Sequence, residues 1–200
     1  MPVLRSAPPS PFGRKVKLAA AHLGLSDRFE VKNADTLDPA DSLSRENPLG
    51  KIPALILDDG TVVFDSRVIL EWLDLEAGGG RIIPAEPKAR IAALTLQALA
   101  DGLLDAALLC VYEVRMRPEA ERSPGWVARQ RDKIARVLAA LEKAPPAIEP
   151  ITVGTITLAC ALGYLDLRFE GAWRADHPAL VAWLDGFAAR VPAFEKTRLA

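Results

Sequence analysis

The sequence has few of the residues that bind metals or form disulfide bonds. Its 200 residues include only two cysteines and two histidines. Cys110 and Cys160 lie among Leu, Ala and Val in helix-like sequence, which is typical of small buried hydrophobic residues. His22 and His177 cannot form a histidine-rich metal centre. We therefore expect neither a disulfide framework nor a metal site.

A large charge of one sign and a long apolar run are also missing. The net charge is −1, with 25 basic and 26 acidic residues, so nothing global attracts the chain to nucleic acid or an anionic membrane. No continuous apolar run approaches the roughly 18 residues of a membrane span, and the N-terminus lacks signal-peptide features. We expect a cytoplasmic protein that binds neither nucleic acid nor a membrane. Since half of the residues are hydrophobic, a substantial core is expected.

Residues 1–77 alternate between strand-like and helix-like sequence. A strand begins at Val3 and a second one surrounds Val31, with a helix between them that stops at Gly24. A strand, a helix and a strand in succession predict a right-handed crossover between parallel strands. A short helix over Asp38 to Arg45, capped by Asp38, is expected next. Asp58-Asp59-Gly60 then predicts a hairpin between two further strands.

The sequence after residue 77 shows a different pattern, with a linker followed by helix-like segments. Residues 78–87 contain three consecutive glycines and two prolines, which predict a linker. Residues 88–200 show helical periodicity and no convincing strand. The segment from Thr152 to Leu167 is almost entirely apolar, which predicts a helix enclosed by its neighbours. We therefore expect an α/β domain over residues 1–77 and an all-helical domain over residues 88–200.

The stretch Ser10-Pro11-Phe12 places a hydroxyl group where a helix begins. Serine is a preferred N-cap residue, and proline suits the first helical position. The free N–H groups and the helix dipole favour an anion in front of Ser10, and a thiolate is one such anion. Capping alone also explains both residues. Ser6 is a competing hydroxyl, but it lies in the strand or turn, where the dipole argument does not apply.

Two later stretches also combine backbone and polar groups. The stretch from Asn47 to Leu57 contains an apolar strand that is entered through Pro53. Proline cannot donate to a sheet ladder, so Pro53 must stand at the strand's first residue or at an edge. That leaves the backbone of Ile52 for another partner. Asp65-Ser66 opens a helix, which places a second polar pair at a helix N-terminus.

Together, the order of elements and three motifs resemble the cytosolic glutathione transferase superfamily. The match covers nearly the whole chain, and the first motif is similar to the serine-type classes. The resemblance implies a thioredoxin-like α/β N-terminal domain followed by an all-α C-terminal domain. The motifs are Ser10-Pro11-Phe12 with Arg14-Lys15-Val16, then Asn47-Pro48-Leu49-Gly50-Lys51-Ile52-Pro53-Ala54-Leu55, then Asp65-Ser66 with Ile69 and Trp72-Leu73.

The resemblance also implies roles for individual residues. Ser10 would donate its hydroxyl hydrogen to the glutathione sulfur. A cis bond before Pro53 would turn the main chain of Ile52 outward, where it pairs with the cysteinyl backbone of glutathione. Ser66 and its helix start would bind the γ-glutamyl carboxylate, and Asp65 the ammonium group. Further glutathione contacts are expected at Phe12, Lys51 and, from a partner subunit, Asp101.

The function implied is that of a homodimeric glutathione transferase, which adds the glutathione thiolate to an electrophilic, hydrophobic small molecule. Glutathione is then a co-substrate and no cofactor is required. Two alternatives stay open: a non-catalytic module that binds glutathione or a protein, and a glutathione-dependent isomerase, dehalogenase or peroxidase. Position 10 is not a cysteine, which argues against reductase chemistry through a mixed disulfide.

The helical half is expected to supply the wall of the second-substrate site. Tyr112, Met116 and Trp126 are candidates for that wall, although core packing accounts for them equally well. One position departs from the family pattern: Thr155 stands where an Asp usually completes the cap begun by Thr152. We therefore expect a weaker reciprocal capping interaction there.

Overall fold

The computed structural model describes residues 1–198 and divides the chain into two compact units. The first contains the chain up to Arg90 together with the C-terminal segment that starts at Val191, and the second is Ile91–Arg190. The sequence analysis assigned everything after residue 87 to one helical domain. The C-terminal segment instead groups with the first unit.

A four-stranded mixed sheet forms the centre of the first unit. Its order is β2-β1-β3-β4, with β1 parallel to β2 and antiparallel to β3, and with β3 antiparallel to β4. The parallel pairing of the first two strands, predicted from the sequence, is confirmed. The Leu57 N–H donates to the carbonyl oxygen of Thr61 and closes the predicted hairpin. The strands are β1 Val3–Ser6, β2 Glu30–Asn33, β3 Ala54–Ile56 and β4 Val62–Val63.

Three helices accompany this sheet: α1 (Pro11–Leu23), α2 (Leu43–Glu46) and α3 (Ser66–Glu76). α1 packs against α3, and both helices bury apolar side chains completely, including Val16 and Ile69. α1 ends as predicted, because Gly24 adopts a left-handed conformation with φ of 73° that suits glycine.

The short helix predicted over Asp38 to Arg45 is present, but its predicted start and its cap at Asp38 were wrong. Asp38 instead accepts a hydrogen bond from the N–H of Ala40 in a local turn, and α2 begins only at Leu43. Asp41 accepts from the N–H groups of Asp35 and Leu43. These bonds, with the contribution of the Arg5 guanidinium, lower the pKa of Asp41. Short acidic side chains that bind nearby N–H groups compete with helix formation, which explains the later start.

A single carboxylate holds the glycine-rich stretch after α3. Asp74 is buried and accepts from the N–H groups of four residues, at distances of 2.7–3.3 Å. These are Gly80, Arg81, Ile82 and Ile83. The segment predicted as a linker is therefore attached to the helix that precedes it.

Four long helices account for most of the second unit: α4 (Pro87–Met116), whose first turn lies in the first unit, then α5 (Pro124–Lys143), α6 (Val153–Phe169) and α7 (Pro178–Arg190). No strand occurs in the part of this unit that the structure describes. α6 is buried along most of its length, as predicted. A short helix, α8 (Ala193–Lys196), follows in the C-terminal segment.

The N-terminus of α6 carries a complete capping box. The Thr152 hydroxyl accepts from the N–H of Thr155 at 3.3 Å, and the Thr155 hydroxyl accepts from the N–H of Thr152 at 2.9 Å. Thr155 thus supplies the return bond that the family's usual Asp would make.

One helix, α4, is long and apolar enough by length and composition to cross a membrane. The sequence analysis found no continuous apolar run of that length because Asp101 and Asp105 interrupt it. Of its most apolar window, 44% is buried inside the protein. A single helix of this kind is weak evidence for a membrane span, since the core helix of a soluble protein meets the same criteria.

Candidate functional site

Ser10 is the N-cap of α1. Its φ and ψ are −74° and 116°, and its Oγ accepts a hydrogen bond from the N–H of Gly13 at 3.1 Å. Pro11 occupies the first helical position, and the N–H of Arg14 donates to the Ser10 carbonyl oxygen at 2.9 Å. The Ser10 side chain is half-buried. Because its oxygen accepts in this cap, its own hydroxyl hydrogen is available to a further acceptor.

Ser6, the competing hydroxyl, has a different environment. It is 1% exposed, and its Oγ has no hydrogen-bond partner among residues 1–198. A side chain at Gly13 would collide with this oxygen, so β1 and α1 are in close contact here. Ser6 is therefore covered by the first turn of α1, whereas Ser10 is accessible at its start.

The loop before β3 is organised around Asn47. This side chain is 1% exposed; its Nδ2 donates to the carbonyl oxygen of Lys51 at 2.8 Å, and its Oδ1 accepts from the N–H of Leu49 at 3.1 Å. Gly50 has a φ of 58° and donates its N–H to the Asn47 carbonyl oxygen. Sequence analysis missed this role. A usable signal was the Asn-Pro-Leu-Gly order, since Asn side chains commonly bind their own loop.

This loop presents the main chain of Ile52. The Ile52-Pro53 peptide bond is cis, and β3 begins at Ala54, so Pro53 stands one residue before a central strand. Ile52 is half-buried, and no backbone hydrogen bond reaches it from any described residue. Its N–H and carbonyl groups are therefore open to a partner with an extended backbone.

α3 begins with an exposed carboxylate and a buried hydroxyl. Asp65 is the N-cap, and its Oδ1 accepts from the N–H of Arg67 at 2.9 Å. Its side chain remains 58% exposed, with Oδ2 at 4.0 Å from the Arg67 Nε. Ser66 occupies the first helical position and is 3% exposed. A carboxylate ligand at this N-terminus would meet free N–H groups and the positive end of the dipole.

Sheet topology brings these three features to the same end of the first unit. Arg5 pairs with Ala54, and Leu55 pairs with Val63. The end of β1, the start of β3 and the end of β4 are therefore adjacent. Since α1 follows β1 and α3 follows β4, Ser10, Ile52-Pro53 and Asp65-Ser66 all lie near this end.

The remaining predicted residues are in varied environments. Phe12 is half-buried on α1, with the Lys15 Nζ at 5.7 Å from its ring centre. The Lys51 side chain is exposed, and Asp101 belongs to α4 in the second unit, where it is 1% exposed. Both cysteines are buried, and burial raises the pKa of the Cys110 thiol. No cluster of His, Cys, Asp and Glu suited to a metal ion occurs within residues 1–198.

The candidate wall residues all belong to the second unit. Tyr112 is half-buried, while Met116 and Trp126 are 42% and 44% exposed. Tyr164, which sequence analysis did not select, is buried on α6 with the Arg168 guanidinium at 5.8 Å from its ring centre. Burial raises the pKa of Tyr164.

The chain is similar to several known proteins. Residues 9–76 match the N-terminal domain of glutathione S-transferase, and residues 124–186 match its C-terminal domain. The uncharacterized GST-like protein YibF of Escherichia coli K12 is 34% identical over 186 residues, covering 90% of this chain and 91% of that protein. The first matched range contains Ser10, Pro53 and Asp65.

Solved structures extend this similarity to the whole chain. A glutathione transferase family member from Pseudomonas fluorescens Pf-5, with bound glutathione, is 42% identical, covers 100% of both chains and has a TM-score of 0.93. A structure from the same organism with bound S-(propanoic acid)-glutathione is 41% identical, with the same coverage and a TM-score of 0.89.

Proposed function

This chain belongs to the glutathione S-transferase family, and we propose that it binds glutathione and adds the glutathione thiolate, through its sulfur, to an electrophilic carbon of a small hydrophobic molecule. The observation that carries the proposal is the N-terminus of α1. There the Ser10 oxygen accepts from the Gly13 N–H, which leaves the hydroxyl hydrogen to donate to a thiolate. The free N–H groups of the same turn favour the negative charge.

The energy required is within the reach of these two effects. Lowering the pKa of a free thiol, about 8.5, by about two units requires a preference of about 2.7 kcal/mol for the thiolate. A hydrogen bond to a charged group contributes about 1.5–3 kcal/mol, and a helix N-terminus adds about 0.3–1 kcal/mol. No general base is needed, and proximity of the two bound reactants supplies much of the remaining acceleration.

The other elements at this end of the sheet bind the rest of the tripeptide. In the proposal, the N–H and carbonyl groups of Ile52 pair with the cysteinyl backbone, as an added strand would. Asn47 keeps their loop in place. Ser66 and the α3 N-terminus bind the γ-glutamyl carboxylate, and Asp65 binds its ammonium group. A relative that is 42% identical binds glutathione, which supports glutathione as the ligand of this site.

For the second substrate, we propose Tyr112, Met116 and Trp126 of the helical unit as candidate binding residues. The product of adding the sulfur to a carbon atom is a thioether of glutathione. A relative that is 41% identical binds a compound of this kind, S-(propanoic acid)-glutathione, which supports conjugation over simple storage of glutathione. Phe12, Lys51 and Asp101 remain secondary candidates for glutathione contacts.

The proposed assembly is a cytoplasmic homodimer without a bound cofactor. Val68 and Leu75 lie seven residues apart on α3 and are 49% and 68% exposed, so this helix presents apolar surface on one face. Light scattering coupled to size-exclusion chromatography tests the assembly. A mass near 43 kDa, twice the 21.6 kDa of one chain, supports it, and 21.6 kDa contradicts it.

The two serines near α1 provide the test of the catalytic proposal. Ser10→Ala should reduce kcat/KM by about 100-fold below the pKa of the wild-type bound thiol, since about 2.7 kcal/mol of thiolate stabilisation is lost. The loss should shrink at pH values above about 8.5, where the thiol ionises unaided. Ser6→Ala is the matched control and should leave kcat/KM unchanged, because Ser6 is buried beneath Gly13.

The same assay separates the alternative functions. Turnover of the purified protein is measured with a panel of electrophiles, haloalkanes, compounds with an isomerisable double bond, and peroxides. Glutathione affinity is measured by calorimetry. Binding with no turnover across the panel indicates a non-catalytic module. Turnover that is insensitive to Ser10→Ala contradicts the role proposed for Ser10, and absence of glutathione binding contradicts the whole proposal.

A further inference from the structure

The C-terminal segment is attached to the first turn of α1 through Arg14. This side chain is 8% exposed. Its Nη2 donates to the Phe194 carbonyl oxygen at 2.7 Å, and its Nε donates to the Thr197 hydroxyl at 3.4 Å. Its Cζ also lies 4.2 Å from the centre of the Phe194 ring. The planar guanidinium thus meets a carbonyl, a hydroxyl and a ring face at once.

The backbone of Arg14 belongs to the turn that orients Ser10. The Arg14 N–H donates to the Ser10 carbonyl oxygen, and the preceding N–H, that of Gly13, donates to the Ser10 Oγ. A side chain anchored by α8 therefore restrains the same backbone that holds the Ser10 hydroxyl. Restraint matters here because a hydrogen bond to sulfur depends on both distance and angle.

Helix ends otherwise fray. The start of a helix lacks intrahelical acceptors for its first N–H groups and is the part most easily opened. In α1 the C-terminal segment opposes this opening, since Phe194 is 4% exposed and the Thr197 hydroxyl is itself fixed by bonds to the carbonyl oxygens of Ala193 and Phe194. Arg14 is the side chain that links this ordered segment to the turn.

We propose that Arg14 is a positioning residue through which the C-terminal segment holds the Ser10 turn in its thiolate-binding geometry. The inference rests on the proposed function, because it concerns the same hydroxyl. It adds a requirement that the Ser10 motif does not contain: residues more than 180 positions later in the chain must be in place for full activity.

Arg14→Met tests the proposal, because it removes the guanidinium but keeps an unbranched side chain. We expect the pKa of the bound thiol, from the pH dependence of kcat/KM, to rise by about 0.5–1 unit, which is a loss of about 3–10-fold in kcat/KM at low pH. The KM for glutathione should change less than twofold, since Ile52 and Asp65 are untouched. Arg14→Lys should recover part of the loss through a single bond to the Phe194 carbonyl.

Two variants of the C-terminal segment make the test independent of the folding of Arg14→Met. Deletion of residues 193–200 should reproduce its pH shift, and Thr197→Val should give a smaller shift in the same direction. Arg198→Ala is the matched control, because Arg198 lies in the same segment, has 62% of its side chain exposed and forms an ion pair with Glu195. It should have no effect.

Arg14→Met and Thr197→Val leave unchanged the other charged groups on α1 and on the helices that contact it, including Lys15 on α1, Asp65 and Arg67 at the start of α3, and Glu195 and Lys196 on α8. The deletion also removes Glu195 and Lys196, so Thr197→Val is the comparison that isolates the Arg14 contact. If Thr197→Val and the deletion retain the wild-type pH profile while Ser10→Ala alters it, the proposal is overturned although the function stands. If the wild type has no turnover or Ser10→Ala has no effect, the proposed function fails first.

Discussion

Two helices of this protein begin with the same chemistry but differ in what their caps leave free. In α6, Thr152 and Thr155 exchange hydrogen bonds, and both residues are at most 9% exposed. In α1, the Ser10 hydroxyl accepts from Gly13, while the Ser10 N–H donates to the Ala7 carbonyl oxygen. The first cap is complete within the protein, and the second retains a donor at an accessible position.

The third helical position accounts for the difference. Thr155 carries a hydroxyl that returns a bond to the cap residue, whereas Gly13 has no side chain with which to do so. A larger residue is also excluded at position 13 by Ser6, which lies directly beneath it. Glycine at position 13 therefore allows β1 to pack closely against α1, and it also leaves the Ser10 hydroxyl hydrogen available to a ligand.

The largest expected effect comes from replacing Ser10 with another good cap. Asp is as favourable as Ser at an N-cap, so Ser10→Asp should leave the free energy of unfolding within about 0.5 kcal/mol. Its negative charge raises the pKa of a neighbouring thiol, and kcat/KM at pH 6.5 should fall by more than about 100-fold. pH–rate profiles and urea unfolding measure the two quantities. If the fall in kcat/KM is matched by an equivalent loss in the free energy of unfolding, Ser10 acts only as a cap.

Gly13→Ala should be next in size. The added methyl group meets the buried Ser6 hydroxyl, and overpacking of this kind costs about 1–3 kcal/mol. The double variant with Ser6→Ala should recover part of the loss. The control is Gly102→Ala on α4, where an added methyl group meets no atom within 4 Å and the better helix propensity should stabilise by up to about 1 kcal/mol. Chemical denaturation compares all four proteins.

Thr152→Val breaks the closed cap and should affect stability alone. It leaves the buried N–H of Thr155 without its acceptor, and we expect a loss of about 1–2 kcal/mol in the free energy of unfolding. The glutathione KM should not change. Thr95→Val, at an exposed position of α4, should stay within about 0.5 kcal/mol of the wild type. A raised KM in Thr152→Val would contradict the division of roles between the two caps.

The smallest effect is expected at a third cap, Asp65. Asn caps a helix as well as Asp, so Asp65→Asn removes the charge and keeps the bond to the Arg67 N–H. Because the carboxylate is largely exposed, the KM for glutathione should rise by only about 2–5-fold, with kcat unchanged. Glu71→Gln, which removes an exposed charge from the same helix, is the control. An unchanged KM in Asp65→Asn would remove Asp65 from the glutathione site.

Local sequence patterns predicted most of the fold because they act over a few residues. The Ser10-Pro11 start, the Gly24 stop and the enclosed α6 all follow from capping, backbone freedom and apolar periodicity. α2 was predicted too early because the acidic side chains before it can cap a helix or bind a turn, and the pattern does not distinguish these. Thr155 was expected to weaken a cap, yet its hydroxyl supplies the return bond.

The parts that the sequence did not predict depend on residues distant along the chain. Arg14 binds a carbonyl 180 positions away, and no periodicity connects the two. The burial of Ser6 depends on how closely α1 approaches β1. The role of Asn47 in its loop was not predicted, because its side-chain bonds to Leu49 and Lys51 exist only once the loop has folded.

Three consecutive glycines usually mark a flexible linker, but the carboxylate of Asp74 makes this stretch a restrained one. Glycines 78, 79 and 80 all have positive φ values, which is the backbone shape that the tight path around this carboxylate requires. Proteases cut preferentially where a chain can be drawn out into an extended form. This stretch should therefore resist digestion despite its composition, and Asp74→Ala should convert it into a cleavage site.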